Sequence, residues 1–521
     1  MRGECNRNRA LQPGMRHRTL HPGGRGGERA LDSVPPRWFT RGRVLPDLWT
    51  RPQGAVLAVL YAVVSLAASG HVVLHKRDVR AALGWIAFIW LAPVMGAAAY
   101  LVFGVNRIRR RAQALRLPDV RARVPDDLRP PPPTLPPAAR HLAPLLALGD
   151  GILRRPLVAG NAVTLLAGGE TVYPAMLAAI DAAERSVTFC TFIFDPGKAG
   201  DAFVEAFVRA HERGVKVRVL IDAVGVRYRW PPMHWRLRKA GVTTELFLPR
   251  LTPGWLPFVN LRNHRKVLVV DGTIGFTGGM NVRDDFLPRE GSPPFMDLHA
   301  RVTGPVVAHL QAAFAEDWLF TTGEPLEGGA FFPPLRAEGE VLARGVPDGP
   351  DEDFEAVRWL LLGALATARE RVRIVTPYFL PDAGLVTAID VAVMRGVEVD
   401  VVIPERGNLP LVQWAQTAQL WQVLERGCRV WRTPPPFDHT KLMVVDGAWS
   451  LIGSANWDPR SLRLNFELEV ECFDADLARR VEALATDRIA RARRVTLADV
   501  DSRHLPVKLR DGCARLLSPY L

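Results

Sequence analysis

Two stretches near the amino terminus contain no Asp, Glu, Lys or Arg: Gly54 to Leu74, 21 residues, and Ala81 to Val105, 25 residues. Each is long enough to cross the roughly 30 Å hydrocarbon layer as a helix. Only six residues separate them, so the pattern predicts a transmembrane hairpin over 54–105. Trp85, Tyr100 and Phe103 suit the headgroup boundary, while Trp90 lies inward of it. From Asn161 onward the apolar positions switch to shorter alternating segments. Amphipathic helices are expected near Tyr173–Glu184 and Asp201–Arg213, each followed by a strand, Ser186–Phe194 and Val215–Ile221. The order repeats later, with helices over Phe354–Arg369 and Ala383–Arg395 and strands over Val372–Pro377 and Val397–Ile403. Strands alternating with helices imply an α/β fold with largely parallel, helix-covered sheets.

These periods divide the chain. Residues 1–50, rich in Arg, Gly and Pro and without apolar periodicity, read as a disordered basic tail in which Met15 is an alternative start. Residues 107–157 read as a basic, Pro-rich linker. Its run Pro130 to Pro133 suits a semi-rigid spacer lifting the following body off the membrane, with a short helix near Leu142–Leu148. One α/β domain is expected over 158–325 and a second over 350–521, with Glu324–Pro350 as the link.

The candidate chemistry comes from a duplicated pattern, HxKxxxxD: His264, Lys266 and Asp271, then His439, Lys441 and Asp446, 175 positions on. Each copy is followed by a glycine-containing turn ending in asparagine, Gly278-Gly279-Met280-Asn281 and Gly453-Ser454-Ala455-Asn456. On a strand, residues i and i+2 project from one face, so His and Lys of each copy point at the same place. Val267–Val270 and Leu442–Val445 are apolar and end at Asp-Gly, a hairpin signal. Lysine supplies positive charge for phosphoryl oxygens, and Asn281 and Asn456 can donate to the same group. One histidine cannot both attack phosphorus and protonate the oxygen leaving on the far side, whereas two facing histidines can. Phosphodiester chemistry on this set requires no metal and no cofactor.

Charge and cysteine content narrow the setting. A formal charge of +13 and a pI near 10.0 favour anionic partners, either phospholipid or nucleic acid, and the apolar runs favour lipid. No nucleic-acid partner is expected. Five scattered cysteines without a CxxC pair suggest neither a zinc site nor a disulfide framework.

At both motifs the chain resembles the phospholipase D superfamily and, more closely, its bacterial cardiolipin synthases. The resemblance runs from about His71 to Leu521. It includes Trp85, Gly104-Val105-Asn106-Arg107, Thr376-Pro377-Tyr378-Phe379, Arg460-Ser461 and Asn465-Phe466-Glu467. It implies two phospholipase D-like α/β/α halves packed with pseudo-two-fold symmetry, both motifs at their interface. It also implies a carboxylate that orients each histidine, at Asp297 and Glu467. Asp271 and Asp446 belong to the motif but end their strands at a turn, and we assign them mainly to structure.

The implied reaction joins two phosphatidylglycerol molecules into cardiolipin with release of glycerol, through a phosphohistidine. By family analogy His264 attacks and His439 transfers the proton. Water as acceptor would make the protein a hydrolase, and another alcohol a different phosphatidyltransferase. A nuclease could use the same motif pair but has little use for membrane spans. A non-catalytic lipid-binding protein is disfavoured because no His, Lys or Asn of the pair is missing. Cys190 stands where relatives often carry an acidic residue, and Leu251–Val259, with Trp255 and Phe258, is a candidate apolar lip beside the site. The expected place is the bacterial inner membrane, multi-pass. Cations flanking the spans (Arg37, Arg41, Arg43 and Arg51 before, Arg107, Arg109, Arg110, Arg111 and Arg116 after) outnumber Lys76, Arg77 and Arg80 in the loop, which puts the large domains in the cytoplasm.

Overall fold

The computed structural model describes residues 52–76, 79–104, 133–248, 261–350 and 355–518. The basic tail, most of the linker and the candidate apolar lip lie outside them. The chain divides into two compact units between Ala97 and Ala98.

In the first unit α1 (Pro52–His75) is unbroken. Among the described residues it is the one helix long and apolar enough to cross a membrane. The second charge-free run is not a single helix: α2 (Val79–Leu91) is followed by a bend at Ala92, then α3 (Pro93–Ala99) and a wide π-type turn over Tyr100–Gly104. Pro93 has no N–H for a helical bond, and its ring opposes the carbonyl one turn earlier. Counting charge-free residues does not register that break, so where two spans were expected the described residues show one continuous helix and one interrupted one.

The second unit, which takes in the Tyr100–Gly104 turn, continues with a 3₁₀ turn at Pro137–Leu142 and α4 (Ala143–Ile152). These do not stand off as a spacer. Leu135, Ala139, Leu142 and Leu145 are buried in the apolar core of the second half.

The first half then runs β1 (Val158–Ala167), α5 (Gly169–Asp181), β2 (Ser186–Thr191), α6 (Lys198–Glu212), β3 (Lys216–Asp222), α7 (Met233–Lys239), β4 (Thr243–Phe247), β5 (Arg262–Asn263), β6 (Val267–Val270), β7 (Ile274–Gly278), β8 (Leu298–Thr303) and α8 (Val307–Thr322). The second half runs β9 (Val341–Asp348), α9 (Ala356–Thr367), β10 (Arg371–Val375), α10 (Ala383–Met394), β11 (Glu398–Pro404), α11 (Pro410–Gln419), α12 (Trp421–Leu424), β12 (Arg429–Thr433), β13 (Leu442–Val445), β14 (Trp449–Gly453), β15 (Asn465–Phe473), α13 (Ala475–Arg491), β16 (Arg493–Val495), α14 (Leu497–Asp501) and α15 (Leu505–Leu516).

One hydrogen-bonded sheet runs through both halves. Its strand order is β4-β3-β2-β6-β7-β8-β1 in the first and β12-β11-β10-β13-β14-β15-β9 in the second, the same order twice. β1 and β9 join the two antiparallel, so the segment expected to be a plain link carries a central strand. The sheet is mixed, not largely parallel. Along the main strand path only β2–β3–β4 and β10–β11–β12 are parallel, the strands connected by helices. β6–β7 and β13–β14 are tight antiparallel hairpins turned at Asp271-Gly272 and Asp446-Gly447, where both aspartates have φ of 52°. Apolar faces of α8 (Leu310, Phe314, Trp318) and α13 (Leu477, Val481) share one core with strands of both halves, which fixes the halves side by side.

Candidate active site

The His and Lys of each motif sit in extended chain just before β6 and β13, outside the ladders of their own half. Their backbones bond across the seam. Arg262–Asn263 pairs parallel with Asn465–Phe466, and the His264 N–H donates to the Phe466 carbonyl at 2.9 Å. In the same way Met296 bridges Asp438, and the His439 N–H donates to the Met296 carbonyl at 2.7 Å. Each motif is thereby stitched to the opposite half.

The carboxylates cross the seam as well. His264 Nδ1 lies 3.0 and 2.9 Å from the two oxygens of Glu467, and His439 Nδ1 lies 2.8 Å from Asp297 Oδ2. With Nδ1–H donating to a carboxylate, each ring keeps its Nε2 lone pair free. The two carboxylates are not equivalent. Glu467 also accepts from Ser454 Oγ at 2.6 Å and Asn465 Nδ2 at 3.0 Å, whereas Asp297 accepts from His439 and the Leu298 N–H at 2.8 Å. At Gly279, the position matching Ser454, an added Cβ would stand 2.4 Å from Asp297 Oδ1, so no serine fits.

Burial dominates the electrostatics. It pulls His264 down to about 4 against the opposing pull of Glu467, and holds His439 well below its usual value with help from the Lys441 and Lys266 charges. Lys266 falls to about 7 and Lys441 to about 8 for the same reason. Burial lifts Asp297 to about 6, the Lys441 charge opposing it. Burial also pushes Glu467 up, but its interaction and hydrogen bond with His264, the Lys266 charge and the bond from Ser454 outweigh it and leave it below its usual value. The site therefore holds neutral imidazoles and weakened lysine charges.

Lys266 Nζ donates to the His264 carbonyl at 2.6 Å, and Lys441 Nζ makes the matching bond to the His439 carbonyl. Asn281 accepts the Ile193 N–H through Oδ1 at 3.0 Å, which leaves its NH₂ as the end able to donate. Asn456 Nδ2 lies 3.2 Å from Ser461 Oγ, and its buried Oδ1 has no hydrogen-bond partner. Aromatic rings wall the histidines: Phe192 stands 5.3 Å from the His264 ring, and Phe437 and Tyr378 stand 5.9 and 6.4 Å from the His439 ring. The glycines of the tails have a packing reason. A Cβ at Gly278 or Gly453 would meet a backbone carbonyl, Leu298 or Leu468, at 2.3 Å.

Asp271 and Asp446 point away from the histidines, into turns. Asp271 accepts the N–H groups of Glu184, Arg185 and Ser186, and Asp446 those of Arg369, Glu370 and Arg371. Asp446 also bonds His141 Nε2 at 2.8 Å. Cys190 is buried on β2, its Sγ 3.4 Å from Asn263 Oδ1, and burial raises its thiol well above the usual value.

Sequence reasoning missed the anchors behind each motif. Arg265 bonds Asp317 of α8 at 2.8 Å, while in the second half the charges are exchanged: Asp438, in the extended chain before β13, bonds Arg488 of α13 at 2.5 Å. Ser454 and Asn465 were likewise not singled out for their bonds to Glu467. Among the described residues no group of three or more His, Cys, Asp or Glu is arranged to hold a metal ion.

Comparison with known proteins bears on this geometry. A family described as "Cardiolipin synthase, PLD-like domain" matches residues 176–318 and 361–487, once in each half. The chain belongs to that family. A second family, "Phospholipase_D-nuclease N-terminal", matches residues 58–104. Cardiolipin synthase A of Pseudomonas putida (strain GB-1) is 35% identical over 486 residues, covering 90% of this chain and 98% of that protein. Cardiolipin synthase A of Pseudomonas putida (strain W619) is 35% identical over 488 residues with the same coverage. Among solved structures, phosphatidylserine synthase of Haemophilus influenzae Rd KW20 superposes with a TM-score of 0.56 at 14% identity, covering 72% of this chain and 100% of that one, a likeness of fold.

Proposed function

We propose that this cardiolipin synthase family member joins two phosphatidylglycerol molecules through a phosphohistidine, its two histidines acting from opposite sides of one phosphodiester. His264 Nε2 attacks the phosphorus of the first lipid as the bond to its terminal glycerol breaks, and His439 gives its proton to the departing glycerol oxygen. The neutral His439 then takes the proton of the free glycerol hydroxyl of the second phosphatidylglycerol. That oxygen attacks phosphorus, the N–P bond breaks, and cardiolipin leaves. Two phosphatidylglycerols are consumed, and one cardiolipin and one glycerol are produced.

The observation that carries this reading is the crossed pairing of His264 with Glu467 and His439 with Asp297, which ties both rings to the seam between the halves. The repeated strand order supports a pseudo-two-fold relation between them. Glu467, the better hydrogen-bonded and more firmly ionised carboxylate, suits the ring that must bear positive charge as phosphohistidine. The phosphodiester charge offsets Lys266 and Lys441, and so restores the proton His439 needs at the start. Lys266, Lys441, Asn281 and Asn456 hold the equatorial oxygens; Asn456, turned about its last torsion, presents its NH₂ as Asn281 does. Asp271 and Asp446 keep the strand ends in place. α1 and the interrupted α2–α3 segment anchor the chain as a two-span hairpin with the α/β halves in the cytoplasm, a reading supported by the cation asymmetry.

The test is to incubate the purified protein with labelled phosphatidylglycerol in vesicles. Cardiolipin and glycerol in equal amounts are expected. Phosphatidic acid as the sole product would reject the transferase reading.

A further inference from the structure

The rim of the site carries exposed apolar side chains on both halves. In the first half, Tyr228, Trp230 and Trp235 are 60%, 74% and 49% exposed, the first two on the segment that leads into α7 and the third in its first turn. The indoles of Trp230 and Trp235 meet edge to face at 4.7 Å, so they form one projecting feature and not two stray side chains. It adjoins the site: Tyr228 stands 6.1 Å from Phe192, which stands 5.3 Å from the His264 ring. In the second half, Tyr378 beside His439 donates to Asn408 at 2.6 Å, and the next residues, Leu409 and Leu411, are exposed at the start of α11. α15 packs on α11 and turns Leu505 and Leu509, one helical turn apart, to solvent.

Charge identifies the occupant. The 14 residues Val226–Lys239 hold five cations, Arg227, Arg229, Arg236, Arg238 and Lys239, and no Asp or Glu. All five are exposed. Asp195, Asp201 and Glu245 pair with Arg229, Arg236 and Arg238, and among the described residues Arg227 and Lys239 make no ion pair. Two tryptophans flanked by the unpaired cations Arg227 and Lys239, among three further cations held in exposed ion pairs, match a surface that is negative outside and apolar just beneath, as an anionic bilayer is.

We propose that this rim rests on an anionic phospholipid bilayer, giving the α/β unit a membrane contact of its own in addition to the anchor that α1 provides, so that headgroups rise to the histidines while their acyl chains stay in the layer. This deepens the phosphatidyltransferase reading and rests on it only for its purpose.

The test uses the full chain in nanodiscs, with spin labels on Trp230→Cys, Trp235→Cys and, as a reference, Glu184→Cys beside the Asp271 turn. On phosphatidylglycerol nanodiscs, labels at 230 and 235 should gain accessibility to oxygen and lose it to a water-soluble nickel chelate, while 184 stays open to the chelate. Equal insertion on purely zwitterionic nanodiscs would overturn the anionic assignment. Shielding of 230 and 235 that grows with protein concentration in detergent would show a face between copies and overturn the proposal. A Trp230→Ser, Trp235→Ser double variant should turn over long-chain phosphatidylglycerol in vesicles about tenfold more slowly, and dispersed short-chain substrate within twofold of the parent. Equal loss on both would overturn it. Depth changes without cardiolipin from either substrate would leave the docking surface standing and remove the reaction assigned above.

Discussion

Replacing Glu467 by glutamine keeps the side chain's shape and removes its charge, 203 positions from the histidine it affects. In the native site three donors, His264 Nδ1, Ser454 Oγ and Asn465 Nδ2, converge on two carboxylate oxygens. A glutamine offers one oxygen and one NH₂, so at least one donor must give way. Ser454 can rotate its hydroxyl, but the imidazole can adapt only by moving its proton to Nε2, the atom required for attack. Loss of one charged hydrogen bond costs about 1.5–3 kcal/mol, or roughly 10- to 150-fold in rate. The tautomer switch adds to this and takes the loss toward about 10⁴-fold, its size in a nucleophile–histidine–carboxylate triad. Ser454→Ala, which removes one donor and keeps the charge, should cost about tenfold or less. The assay is cardiolipin formation from labelled phosphatidylglycerol, with the thermal midpoint of each variant measured beside it. Glu467→Gln retaining more than a fifth of parental activity with an unchanged midpoint would refute the orienting role.

Sulfate or tungstate, ionised throughout the neutral range, should bind most tightly below about pH 7. Burial leaves Lys266 at about 7 and Lys441 at about 8, and an anion restores their protons, so above those values binding must take protons up and weakens by up to about tenfold per pH unit for each lysine. Titration calorimetry in two buffers of different ionisation heat would register the uptake, and its absence at pH 8 would count against buried, weakened lysines. Asp317→Ala removes the carboxylate that neutralises the buried Arg265; breaking such a pair costs about 3–5 kcal/mol. A fall in thermal midpoint is expected, and an unchanged midpoint would show that the anchor behind the first motif carries no stability.

Much of this site was legible because its parts are local. His and Lys at i and i+2, Asp-Gly at the hairpin and the glycine that lets a carbonyl approach are all written within about twenty residues. What crosses the seam was not. Asp297 and Glu467 could be singled out, but their exchange between halves depends on how Asn263 and Asp438 pair with strands 142 to 203 positions away, and no spacing encodes that. The reversed ion pairs Arg265–Asp317 and Asp438–Arg488 escaped for a related reason: each half solves the same burial with opposite polarity, so a search for repeats passes over them. β9 was hidden because its strand character comes from neighbours on both sides, β15 and β1. The packing of Leu142 and Leu145 was hidden by the proline-rich stretch before them, which reads as a spacer although Pro137 begins a 3₁₀ turn. Pro93 was visible, but a count of charge-free residues gave it no weight.

The sharing of one phosphodiester by both histidines is tested most directly with an aryl phosphatidyl diester, whose leaving group departs without a proton. His439→Asn should release a burst of one aryl alcohol per enzyme and stall, with the phosphatidyl group recovered on His264 by mass spectrometry of the protein denatured in base. His264→Asn should give no burst and no adduct. A burst of equal size from His264→Asn, or an adduct on any other residue, would contradict the two-histidine mechanism.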